Sequence, residues 1–163
     1  MADEVYQRNI YKKDVPFISF RKVLAEMGAP YSNSVELVSL HSISKGLMGE
    51  CGLRGGYFET HNLTPFANEM LYKLKSIELC SNTVGQLALN LMVDPPREGR
   101  ELPETVALYR KQRNEIFDGL QERAKMLTDS FNKMTNVTSN EIEGAMYGFP
   151  SVKMSPKAIA KAK

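Results

Sequence analysis

Apolar residues along this chain fall into two textures, and the change between them sets the expected architecture. In residues 17–28, "FISFRKVLAEMG", Phe17, Phe20, Val23, Leu24 and Met27 recur at spacings of three and four, which predicts an amphipathic helix. Gly28 and Pro30 supply its stop signals. Before it, Val5 and Tyr6 favour a strand over residues 1–7. After it, "SVELVSLHS" (34–42) is an apolar run with Val35, Leu37, Val38 and Leu40, the pattern of a buried strand, and "GYFE" (56–59) reads as a further strand. From Thr64 onward the pattern turns helical. Thr64 is an expected N-cap with Pro65 at the first helical position of 64–79. Residues 81–96, "SNTVGQLALNLMVDPP", are apolar nearly all round and predict a buried helix stopped by Pro95 and Pro96, followed by a polar loop.

The strongest helical pattern covers 104–134. Val106, Tyr109, Ile116, Phe117, Leu120, Ala124, Leu127, Phe131 and Met134 make one face, interrupted by Arg113. Gly119 inside it costs about 1 kcal/mol relative to Ala. A helix of about thirty residues is long for one compact domain and suits a connector between two lobes. "NVTSN" (136–140) and "EGAMYGFPSVK" (143–153) predict two strands with a turn, and "MSPKAIAKAK" the opening of another helix. Strand, helix, strand and then helices predict an α/β protein. The chain opens inside one predicted element and stops inside another, so the expectation is a piece of a longer architecture.

The totals narrow the function classes. The chain has 163 residues, 42% hydrophobic and 25% charged, with a net charge of +2. That is a globular composition, and the charge is too small to argue for nucleic acid or membrane as a main partner. No apolar run approaches the length of about eighteen residues that a membrane span needs. The opening "MADEVYQRNIYKKD" lacks a signal-peptide core, so the expected location is cytoplasmic, with mitochondria left open. Cys51 and Cys80 have no partners at metal-ligand spacing and read as free thiols, so no metal site is expected. The Asn62 and Asn136 sequons read as accidental.

The candidate chemistry lies in residues 41–57, "HSISKGLMGECGLRGGY". Lys45 follows the predicted buried strand, and in open α/β sheets ligands sit outside the carboxyl ends of strands. Ser42, Ser44 and Gly46 around it are small, with hydroxyls able to donate to phosphate oxygens. Arg54 follows nine positions later among glycines, where a guanidinium grips phosphate with two parallel hydrogen bonds. Neither G-x-x-x-x-G-K-[ST] nor G-x-G-x-x-G occurs, which excludes the common nucleotide loops. "SISK" matches the S-x-x-K of penicillin-recognising enzymes, but the K-T-G and S-D-N partners are absent. A lysine that forms a Schiff base with pyridoxal phosphate needs a phosphate grip, an acid for the pyridine nitrogen and a donor for the phenolic oxygen. Ser42 and Arg54 could supply the first, and Asp3 and Tyr6 in the early "DEVY" the others.

"ADEVYQ", "HSISKGLMGECGLRGGYFE", "LCSNTVGQ" and "EGAMYGFP" together resemble the alanine aminotransferase family of fold-type I pyridoxal-phosphate enzymes, in its central-to-late part. The resemblance implies that Lys45 is the catalytic lysine of the internal aldimine and then the base that moves the substrate proton. It implies that Asp3 meets the pyridine nitrogen, Tyr6 the phenolic oxygen, and Ser42 and Arg54 the phosphate. It implies amino-group exchange between L-alanine and 2-oxoglutarate in a homodimer. The expected organisation is a partial cofactor-binding large domain at 1–103, a connector helix at 104–134 and a partial small domain at 135–163. The family's glycine-rich phosphate loop, its ring-stacking aromatic and its substrate-carboxylate arginine are expected outside this sequence, so the chain alone is expected to be incomplete as a catalyst. Two alternatives stay open: a non-catalytic, self-associating piece, and another fold-type I enzyme such as a lyase or decarboxylase.

Overall fold

The computed structural model describes residues 1–162. Three strands form the main sheet in the order β1 (Ala2–Asp3), β2 (Leu37–Ser42), β3 (Gly56–His61). β1 runs parallel to β2, pairing Ala2 with Ser39 and Asp3 with Leu40. β3 returns antiparallel, from Leu37 opposite His61 to Ser42 opposite Gly56. The crossover between the parallel strands is helical, as the geometry of parallel pairing requires. It contains α1 (Phe20–Met27) and the short α2 (Tyr31–Ser34). The Ser19 hydroxyl caps α1 by accepting from the Lys22 amide at 3.1 Å, and the Glu4 carboxylate accepts from the Phe20 amide at 2.8 Å. Only Leu24 of the predicted α1 face is buried, in a small core with Ala2 and Leu37.

The strand expected over residues 1–7 is shorter than the pattern suggested. Only Ala2 and Asp3 pair, and the chain then turns back on itself, with Gln7 donating to the Glu4 carbonyl and Asn9 to that of Tyr6. Thr64 caps α3 (Pro65–Ser76) as expected, its hydroxyl accepting from the Ala67 amide. α4 (Thr83–Val93) is the helix expected to be buried, and it is not: among its side chains only Met92 is buried, while Leu87 is 71% exposed. Its periodicity reports an apolar surface, and the described residues cover little of it. The same holds for the single long helix α5 (Pro103–Lys133), where Val106 is buried but Leu108, Ile116 and Leu127 are exposed. β4 (Val137–Thr138) and β5 (Ser151–Val152) form the expected antiparallel pair, followed by α6 (Pro156–Ala162). The "EGAMYGFP" stretch is a loop rather than a strand, touching the rest of the chain through a bridge between Ile10 and Gly144.

Two close approaches fix how these pieces sit. Tyr11 is buried, its ring 5.7 Å from that of Phe117, and its carbonyl accepts from Gln121 at 2.6 Å, which ties α5 to the segment after β1. At the other approach α4 meets the turn before β3 through two glycines. A Cβ on Gly55 would lie 2.6 Å from the Gly85 carbonyl oxygen, and one on Gly85 would overlap the Leu53 carbonyl. Gly85→Ala is therefore expected to destabilise the fold by roughly 1–3 kcal/mol through overpacking. Its urea midpoint should fall at unchanged slope. Gly52→Ala, where a Cβ meets nothing within 4 Å, should leave the midpoint in place. Equal midpoints for both variants would show that α4 does not bear on that turn.

Candidate active site

The topology gathers the ends of all three strands at one edge of the sheet. β1 and β2 both deliver their carboxyl ends there, and antiparallel β3 begins there. Asp3 is the last residue of β1, Ser42 the last of β2, and Arg54 lies two residues before β3. Lys45 sits on the loop that leaves β2. That loop is closed across its base: the Ile43 amide donates to the Gly55 carbonyl at 3.1 Å and the Glu50 amide to the Ile43 carbonyl at 2.9 Å. Ile43 itself is fully buried. The loop tip is pressed onto the turn after β1. Gly46 has φ 67°, and a Cβ there would lie 3.1 Å from the Val5 carbonyl oxygen and 3.2 Å from Asn9 Oδ1. A glycine is favoured at this point both by conformation and by the tight space. The residue next to Lys45 thus touches the segment that carries Tyr6.

The five predicted side chains are placed as follows. Asp3 is exposed, its Oδ1 accepting from the Val5 amide at 3.4 Å. Ser42 is half-buried and its hydroxyl accepts from the Ser44 amide at 3.3 Å. Lys45 is exposed and makes no ion pair among the described residues. Arg54 is exposed and left-handed, with φ 53° and ψ 49°, and its Nη1 donates to the Cys51 carbonyl at 3.0 Å. Tyr6 is half-buried, and its hydroxyl donates to that of Tyr147 at 3.0 Å. Burial, then the Tyr147 hydrogen bond and the nearby Asp3 charge, push the Tyr6 hydroxyl up to about 12. It therefore stays protonated, a donor, across neutral pH.

A pocket of about 290 Å³ lies between this edge and the helices α4 and α5, lined among others by Val5, His41, Lys45, Met92, Tyr109 and Arg113. Lys45 opens onto it, while Asp3, Tyr6, Ser42 and Arg54 lie outside its lining. The alternation of side chains along β2 separates His41, which faces the pocket, from Ser42, which does not. Burial, and then the Arg8 charge, lower the His41 pKa from its ordinary 6.5, favouring the neutral ring. Its Nδ1 is buried without a hydrogen-bond partner among the described residues.

Sequence spacing did not reveal the residues that hold these groups in place. The Asn82 amide donates to the Leu53 carbonyl at 2.5 Å, while its oxygen caps α4 by accepting from the Val84 amide. With Gly85 it clamps the turn that presents Arg54. Asn9 and Tyr147 are likewise brought in from outside the lysine loop. The motifs "LCSNTVGQ" and "EGAMYGFP" contain Asn82, Gly85 and Tyr147, so their presence was a signal, but their contacts join positions far apart in the chain.

No protein-family model matches the chain. Among curated proteins it is 48% identical over 163 residues to a probable mitochondrial alanine aminotransferase of Dictyostelium discoideum, a match spanning 99% of this chain and 30% of that protein. It is 48% identical to glutamate–glyoxylate aminotransferase 2 of Arabidopsis thaliana, covering 100% of this chain and 33% of the relative. To alanine aminotransferase 1 of Bos taurus it is 42% identical, covering 99% and 32%. Among solved structures the fold is similar to an alanine aminotransferase from Pyrococcus furiosus, with TM-score 0.71 and 22% identity over 94% of this chain and 34% of that one. LysN, an α-aminoadipate aminotransferase from Thermus thermophilus solved with N-(5'-phosphopyridoxyl)-L-leucine, is similar with TM-score 0.62 and 15% identity over the same shares. At those identities the solved structures speak for the fold alone, which is that of pyridoxal-phosphate aminotransferases. By sequence the chain is similar, along its whole matched length, to alanine and glutamate–glyoxylate aminotransferases, and it spans about a third of the length of the curated relatives it matches.

Proposed function

We propose that this chain carries one wall of the active site of a pyridoxal-phosphate-dependent aminotransferase that exchanges an amino group between L-alanine and 2-oxoglutarate. The observation that carries the reading is the convergence of three strand ends, which brings the segments bearing Asp3, Tyr6, Ser42, Lys45 and Arg54 to one edge of the sheet. The residues suit the cofactor chemically. Arg54 is exposed and retains guanidinium donors beyond the one given to Cys51, which could meet a phosphate. The Ser42 hydroxyl still has its proton to donate. Asp3 presents an exposed carboxylate that would hold a proton on the ring nitrogen, and Tyr6 presents a protonated hydroxyl to the phenolic oxygen.

Pyridoxal phosphate, when bound, supplies an electron sink for the negative charge that develops at the substrate Cα. The Lys45 Nζ would hold the cofactor aldehyde between turnovers and, once released, would be the base that takes the proton from the substrate Cα and delivers it to the cofactor's aldehyde carbon. Ile43 and the closed base of the loop limit how far that amine can stray. The reading carries a homodimer with it, in keeping with the apolar surface that α4 and α5 expose. That exposed surface also favours a second reading, a self-associating piece without catalysis of its own. The two separate on cofactor capture. A lyase or decarboxylase of the same fold separates on whether L-alanine converts the bound cofactor to its amine form.

Treating the chain with pyridoxal phosphate and borohydride, then mapping peptides, is expected to place the label on Lys45, and Lys45→Ala is expected to remove it. A folded chain labelled elsewhere, or not at all, sinks the cofactor reading. Arg54→Ala should weaken cofactor affinity about tenfold or more, the scale for losing a charged hydrogen bond, while Lys45 still labels at saturating cofactor. Asn82→Ala should move affinity in the same direction by a smaller factor, because it loosens the turn without removing the charge. Unchanged affinity in Arg54→Ala would strip that residue of its phosphate role.

A further inference from the structure

We propose that Tyr147 is a positioning residue for the Tyr6 hydroxyl, delivered to it by the loop between β4 and β5. The assignment rests on the reading of Tyr6 as the donor to the cofactor's phenolic oxygen. The two hydroxyls are 3.0 Å apart across 141 positions of sequence, and the rings meet edge to face with centroids 5.5 Å apart at 85°. An edge-to-face pair of this kind fixes ring orientation as well as hydroxyl distance.

The loop carrying Tyr147 is built onto the segment after Tyr6. The Ala145 amide donates to the Asn9 carbonyl at 2.8 Å, and the Tyr11 hydroxyl donates to the Ala145 carbonyl at 2.5 Å. The Tyr11 amide donates to the Glu143 carbonyl at 2.8 Å, and Lys12 Nζ lies 2.9 Å from the Glu143 carboxylate. Gly144 packs so closely that a Cβ there would lie 2.6 Å from the Asn9 carbonyl oxygen. Ala145 is held at φ 60°, a left-handed conformation that costs an L-residue roughly 1–2 kcal/mol and that the surrounding bonds must offset. Tyr147 follows two residues after this constrained alanine, so its approach to Tyr6 is set by the backbone that precedes it.

The chemistry follows from proton counting. The Tyr6 hydroxyl has one proton and spends it on Tyr147 when no other acceptor is near. When Tyr6 turns that proton toward a phenolic oxygen, the Tyr147 hydroxyl can reverse and donate to Tyr6, since each hydroxyl both donates and accepts. A chain of two hydroxyls polarises its terminal donor and strengthens it. Tyr147 thereby keeps Tyr6 oriented in both situations. The other groups that face Tyr6 are Asp3 and Tyr11, and neither offers it a hydrogen bond.

The test replaces Tyr6 by 3-fluorotyrosine, whose more acidic hydroxyl titrates in milder base, and follows its fluorine resonance with pH. Tyr147→Phe keeps the ring packing and removes the second hydroxyl. Loss of that contact is expected to move the position-6 titration by about half a unit or more. Pyridoxal-phosphate affinity, measured on the chain with natural Tyr6, is expected to weaken about threefold or more. Met146→Ala, an exposed neighbour, should change neither. An unmoved fluorine titration overturns the assignment. So does a shifted titration with unchanged affinity, which would reduce the pair to a packing contact. If the unsubstituted chain takes up no cofactor, the cofactor reading falls, and the fluorine titration still decides whether Tyr147 holds the Tyr6 hydroxyl.

Discussion

The parallel register of β1 on β2 is the constraint from which the site follows. It is short, only Ala2 with Ser39 and Asp3 with Leu40, extended by the Glu4 amide donating to the Leu40 carbonyl at 3.0 Å. What holds so short a strand in register is the contrast between its two residues. Ala2 is 3% exposed, packed with Leu24 and Leu37, while Asp3 points outward. A slip by one residue would exchange the faces. The carboxylate would then enter the apolar cluster, where an unpaired charge is strongly disfavoured, and the alanine would leave it. The sign of one residue pair thus fixes where the turn with Tyr6 begins, and the fit of Gly46 against Val5 and Asn9 then fixes the lysine loop.

The arginine side of the site obeys a different logic, one of space rather than of register. Arg54 stands in a left-handed conformation at the end of a tight turn. Nothing in its own side chain requires that, since the single bond to Cys51 is exposed. The turn is shaped from outside, by the Gly55–Gly85 approach and by Asn82 on the Leu53 carbonyl. α4 therefore contributes to the site through its first turn, while much of its apolar surface stays open.

These two mechanisms explain what was legible in the sequence. Helices announced themselves where a cap and a period coincide, as at Thr64 and Pro65, and β2 through its apolar run, because those signals act between near neighbours. Periodicity also identified the apolar faces of α4 and α5, but not their exposure, since the pattern says which side chains avoid water and is silent on what covers them. "EGAMYGFPSVK" read as a strand, and only its end, Ser151–Val152, is one; backbone bonds to residues 9–12 hold its earlier part as a loop. Within the site, Lys45, Ser42 and Arg54 stood out because glycines and hydroxyls cluster about them, and Asp3 and Tyr6 because of their order in the chain. Asn9, Asn82, Gly85 and Tyr147 did not stand out as site residues, because each works through a contact with a distant segment, which no local pattern encodes.

The clasp between residues 9–12 and 143–147 links the two ends of the chain with little apolar burial beyond Tyr11. Its charged contacts, Lys12 with Glu143 and at 3.7 Å with the adjoining Glu141, are partly exposed and contribute little in water. Its strength lies in a few backbone hydrogen bonds and in the fit of Gly144. Attachments of that kind sit at the low end of a protein's local stability and open well before the fold does. The hydroxyl of Tyr6 is thus held by a partner on a detachable segment, whereas Lys45 and Arg54 are held by closed loops beside the sheet. Under the proposed reading, the fixed groups would suit tasks that last through a catalytic cycle, gripping phosphate and aldehyde, and the detachable one would suit a hydrogen bond that changes with the charge on the phenolic oxygen.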